Sequence, residues 1–101
     1  MSNAGIDYLQ DLERVIEQRK AASPEQSYTA KLYRAGPSRI AQKVGEEAVE
    51  LALASVGGDR GRILSESADL VYHLLVLLRS HDITLADVAR ELAQRQRGIA
   101  V

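Results

Sequence analysis

Apolar positions recur every three or four residues along most of this chain and almost nowhere alternate. Ile6, Leu9, Leu12, Val15 and Ile16 mark one face of an amphipathic helix over residues 6–20. Ser23-Pro24-Glu25-Gln26 then carries a helix-start signature: a Ser cap, Pro in the first turn and Gln able to reach back. One or two short helical turns over 24–35 are expected to end at Gly36. Pro37 opens a second long helix that runs to about Val56. Gly57, Gly58 and Gly61 break it, with Asp59 and Arg60 keeping the turn in water, and a third long helix follows over 62–80. Thr84 and Asp87 have capping-box spacing for a last helix at 85–97, whose apolar face is Leu85, Val88, Ala89 and Leu92. Strand signals are weak throughout. The pattern predicts an all-α helical bundle around a central antiparallel hairpin, 37–56 against 62–80.

Length and composition narrow the classes. The chain has 101 residues, enough for one domain over 6–97. Residues 1–5 are expected to be a disordered or tag-like N-terminus and 98–101 a C-terminal tail. A net charge of −1 gives no overall field toward a nucleic-acid polymer or an acidic membrane. Without Cys there is no disulfide frame, thiolate metal site or catalytic thiol. No secretory signal is visible, and the longest apolar run, Leu70–Leu78, is far short of the roughly twenty residues of a membrane span. A soluble, cytoplasmic protein is expected. Both central helices also carry a second apolar stripe, Val49/Leu53/Val56 and Leu64/Val71/Leu75, more than a small monomer easily covers. A bundle completed by a second copy, a homodimer, follows.

The acidic residues concentrate in the hairpin. Glu47/Glu50 and Glu66/Asp69 each share an i, i+3 spacing, so each pair projects from one side of its helix. Gly58 lies eight residues after Glu50 and eight before Glu66, and eleven from both Glu47 and Asp69. A reversal at that glycine brings Glu50 level with Glu66 and Glu47 level with Asp69. Glu47 falls within the apolar arc of Ile40, Val44, Leu51 and Ala54, and Glu50 borders it beside Lys43. Glu66 and Asp69 are the only formally charged residues between Ile63 and Leu78. Carboxylates in such surroundings are protonated, paired or bound to metal. One nearby lysine cannot balance four acids; a divalent cation can. An all-oxygen set suits Mg²⁺ or Mn²⁺ better than zinc, and Mg²⁺ is commonly held together with substrate phosphates. His73 reads as a packed, hydrogen-bonded helix residue before a ligand, and Tyr28 and Tyr72 as packing residues before substrate contacts. His73 and Tyr72 could support the acids from behind.

Three runs, S-Y-T-A-K-L (27–32), R-I-A-Q-K-V-G-E-E-A-V-E (39–50) and E-S-A-D-L-V-Y-H-L-L-V-L-L (66–78), closely resemble the phosphoribosyl-ATP pyrophosphohydrolase family. That family is the histidine-biosynthesis member of the MazG-like, all-α nucleotide pyrophosphohydrolases. The resemblance extends over about 6–96. It implies Mg²⁺-dependent hydrolysis of phosphoribosyl-ATP at the α–β bond and a homodimer, with a tetramer open. It implies Glu47, Glu50, Glu66 and Asp69 as metal ligands, and Lys31, Arg39 and Lys43 as phosphate holders. Glu46 would be an outer acid or, like Glu47, a candidate to activate water. Two other readings stand beside it: a house-cleaning pyrophosphohydrolase acting on dUTP-like nucleoside triphosphates, and a non-catalytic helical dimerisation module.

Overall fold

The computed structural model describes residues 5–98. The expectations for residues 1–4 and 99–101 lie outside them. Five helices follow in order: α1 Tyr8–Arg19, α2 Tyr28–Ala35, α3 Pro37–Gly57, α4 Arg60–Ser80 and α5 Leu85–Gly98. No strand occurs among the described residues, and the fold is all-α. The most extensive packing joins α3 to α4, the antiparallel hairpin expected from the pattern.

The start of α2 differs from expectation. Ser23 accepts the Glu25 N–H at 3.3 Å, and its carbonyl accepts the N–H groups of Gln26 and Ser27 at 3.0 and 3.1 Å. That closes an isolated turn. The helix begins after Ser27, whose backbone is extended (φ −143°, ψ 122°) and whose Oγ accepts the Ala30 N–H at 3.2 Å. The hairpin corner is two residues long. Gly58 adopts the left-handed conformation (φ 77°), and its N–H bonds to the carbonyls of Ala54 and Ser55. Asp59 then caps α4 by accepting the N–H groups of Gly61 and Arg62 at 2.9 and 3.5 Å. Gly61 therefore lies inside the helix and does not break it.

One side of the hairpin is closed by α1 and α2 over Ile16, Leu32, Ile40, Leu75 and Val76, with Leu9, Leu12, Tyr33 and Val71 packed around them. The Tyr33 hydroxyl donates to the Val76 carbonyl at 3.0 Å, and burial pushes its pKa up to about 12. Leu75, expected on a second apolar stripe, is fully buried in this core, because α1 and α2 wrap further round α4 than spacing alone suggests. Val71 packs against the core beside it, but Leu64 of that stripe and the whole α3 stripe are bare: Val49, Leu53, Val56 and Leu64 are 58%, 64%, 88% and 58% exposed. The Cα radius of gyration, 15.1 Å, exceeds the roughly 13 Å of a compact chain this long. Half of the hairpin lacks a cover within the described residues.

Candidate metal centre

The open hairpin gathers the acids. Glu47 is buried on α3, Glu66 is half-buried on α4, and Asp69 lies exposed one turn later on the same helix. One carboxylate oxygen from each comes within 4.8 Å of the others. Glu50 is exposed and stands outside this trio, yet its charge still acts on Glu66.

Glu66 carries the strongest sign of an unmet need. Its Oε1 is shut off from solvent and has no hydrogen-bond partner. Buried acceptors are nearly always satisfied, and leaving one unpaired is unfavourable. Burial raises the Glu66 pKa, and the negative charges of Glu50, Asp69 and Glu47 push it the same way. Arg62 opposes them from 4.0 Å, but its side chain is largely in solvent and offsets little. Lys43 lies 3.2 Å from Glu47 and 3.6 Å from Glu46, and its pKa is raised, chiefly by the bond to Glu47. Four carboxylates thus share two nearby cations. A hard divalent ion fits: it supplies the missing positive charge, all donors are oxygens, and it gives the orphaned oxygen a partner.

The other expected residues fall around this patch. Glu46 is exposed, outside the trio, and takes a hydrogen bond from Gln42 at 2.9 Å that leads in lowering its pKa. Lys31 and Arg39 are exposed, on α2 and in the first turn of α3. His73 is buried, with Nδ1 2.7 Å from the Asp69 carbonyl. A carbonyl only accepts, so Nδ1 bears the proton and Nε2 accepts the Tyr28 hydroxyl at 3.0 Å. Both ring nitrogens are therefore engaged within the protein. The Tyr72 hydroxyl shares a hydrogen bond with Thr29, and burial raises its pKa.

Two contacts were missed in the sequence. Arg62 and Glu66 had a readable i, i+4 spacing. The Tyr28–His73 bond joins residues 45 apart and leaves no local trace.

An all-helical hairpin with Glu-Glu-x-x-Glu on one arm and Glu-x-x-Asp on the other has the architecture of a MazG-like nucleotide pyrophosphohydrolase. Residues 9–96 match the family described as phosphoribosyl-ATP pyrophosphohydrolase, and the chain belongs to it. It is 55% identical over 94 residues to the phosphoribosyl-ATP pyrophosphatase of Methylobacterium nodulans, covering 91% of this chain and 88% of the relative. The protein of the same name from Agrobacterium fabrum is 53% identical over the same coverage. The histidine biosynthesis bifunctional protein HisIE of Photobacterium profundum is 53% identical over 88 residues, 87% of this chain but 42% of the relative. The chain therefore spans most of the single-function relatives and less than half of the bifunctional ones. No helix among the described residues is long and apolar enough to cross a membrane.

Proposed function

We propose that this chain hydrolyses phosphoribosyl-ATP to phosphoribosyl-AMP and pyrophosphate, the second step of histidine biosynthesis, as a cytoplasmic enzyme using Mg²⁺, with Mn²⁺ as a substitute. The observation that carries this reading is the convergence of Glu47, Glu66 and Asp69, with one Glu66 oxygen left unpartnered, in a chain of this family. Glu50 would complete the ligand set from the same side of α3. When bound, the metal neutralises phosphate oxygens and makes water more acidic.

The chain's own residues do the rest. Water attacks one phosphorus, the α–β anhydride bond breaks, and the electron pair leaves with pyrophosphate. Lys31, Arg39 and Lys43 hold the phosphates and offset the charge of the leaving group. Glu46, with a lowered pKa and a contact to Lys43, suits an outer acid that stays ionised and orients that lysine. Glu47, the buried member of the acid trio, would take the proton of the attacking water. His73 has no free nitrogen for a covalent route. The single domain works as a homodimer: a second copy over Val49, Leu53, Val56 and Leu64 would bury the bare stripe beside the acids.

Pyrophosphate release from phosphoribosyl-ATP, dUTP and ATP, with and without Mg²⁺, tests this reading. The expected result is Mg²⁺-dependent turnover, fastest with phosphoribosyl-ATP. Faster release from dUTP would replace it with the house-cleaning activity, and no release from any of the three would overturn it.

A further inference from the structure

Tyr28 combines two properties that seldom occur together. It is 47% exposed, yet it is held by three contacts to two adjacent residues of α4. Its hydroxyl donates to Nε2 of buried His73 at 3.0 Å, and His73 is itself fastened to the Asp69 carbonyl at 2.7 Å. Its ring stacks on Tyr72, with centroids 6.1 Å apart and planes at 30°. It meets His73 edge-on at 5.7 Å and 83°. An exposed tyrosine with a free hydroxyl samples several rotamers; these three contacts leave this one a single orientation.

The ring also lies against one arm of the acidic hairpin. On the α4 side it reaches the Asp69 turn through His73. An aromatic ring held partly bare and rigid beside the Asp69 turn of the acid trio is suited to a planar, π-rich partner. Aromatic rings stack on nucleobases without needing sequence-specific hydrogen bonds, and a ring fixed in advance loses little entropy on contact.

We propose that the purine ring of the nucleotide stacks on Tyr28 while its phosphates lie over Glu47, Glu66 and Asp69. Tyr28 touches substrate, and His73 is a positioning residue that holds the phenol. The inference rests on the activity proposed above. It goes further by naming the element that recognises the base.

The test compares the wild type with Tyr28→Phe, which keeps the flat ring, and with Tyr28→Leu and Tyr28→Gln, which remove it. Leu retains apolar bulk and Gln suits an exposed helix position, so a folding failure of one leaves the other. The readouts are KM for phosphoribosyl-ATP and the inhibition constants of adenosine monophosphate and of inorganic pyrophosphate. Losing a stacked ring should raise KM and the adenosine monophosphate constant about tenfold or more in the Leu and Gln variants. The Phe variant should stay within about threefold, and pyrophosphate inhibition should not change in any of them. A Leu variant indistinguishable from Phe, or equal weakening of adenosine monophosphate and pyrophosphate, would overturn the proposal. If the wild type released no pyrophosphate from phosphoribosyl-ATP, the activity itself would fail. Calorimetric binding of adenosine monophosphate to wild type and Tyr28→Leu would then judge the platform by the same tenfold criterion.

Discussion

The acids of this molecule form two populations with different company. Along α1 and α5 nearly every acid has a basic neighbour one turn away: Asp11 with Arg14, Glu17 with Lys20, Asp87 with Arg90, Glu91 with Arg95; Glu17 also pairs with Arg79 of α4. In the hairpin, Glu47, Glu50, Glu66 and Asp69 share, among the described residues, only Arg62 and a Lys43 that also pairs with Glu46. The paired acids satisfy themselves within the chain. The hairpin acids do not, and their surplus negative charge falls where the fold is also least covered. Local neutrality marks the scaffold, and its violation coincides with the proposed site.

The largest break in this contrast should come from removing hairpin charge. Glu47→Gln and Asp69→Asn are expected to lower kcat/KM for phosphoribosyl-ATP by more than about hundredfold while circular dichroism stays helical. Glu46→Gln should lose less than about tenfold, and Glu91→Gln should stay within about twofold. Wild-type turnover in either of the first two would remove those residues from the site.

Metal removal should separate the populations next. A divalent ion at a hundred times its Kd adds about 2.7 kcal/mol to a protein that binds it only when folded, so Mg²⁺ should raise the wild-type Tm and a chelator reverse it. Glu66→Gln should abolish that response. In metal-free buffer the same variant should melt above wild type, because it relieves the repulsion from Glu50, Asp69 and Glu47. A lower metal-free Tm would show that the crowding of charges is not strained.

Smaller effects belong to the self-paired acids. The Thr84 hydroxyl accepts the Asp87 N–H at 3.1 Å while Asp87 accepts the Thr84 N–H at 2.9 Å, so Thr84→Ala should cost about 1 kcal/mol in urea unfolding. The bonds from the Thr84 backbone and side chain hold the Asp87 carboxyl below its ordinary 3.8. Its stabilisation is therefore complete above pH 3.8 and is lost as pH falls through the lower folded value. Asp87→Asn should flatten the acid limb of the Tm–pH curve. Arg95→Ala, which breaks an exposed pair with Glu91, should change stability by less than about 0.5 kcal/mol.

What the chain made legible is what its spacing controls directly. The i, i+3 acids, the Thr84–Asp87 box and the Gly58 corner depend on residues a few positions apart; the structure carries the last two and brings three of the four acids together, leaving Glu50 outside. The Ser-Pro-Glu-Gln signature points to Ser23 as the helix start, and only the extended backbone at Ser27 moves the start there. Leu75 looked like half of an exposed stripe, because a wheel drawn for one helix does not show how far α1 and α2 wrap around it. The Tyr28–His73 bond spans 45 residues, and no local rule would have paired the two.

The Gly58–Asp59 corner makes the site depend on counting. Each added residue turns a helix by about 100° and advances it about 1.5 Å, so a single insertion there would rotate the face bearing Glu66 and Asp69 away from Glu47 without altering any of the three. Loop grafting at this reversal would tolerate changes of identity that respect the left-handed Gly58, and would fail on changes of length.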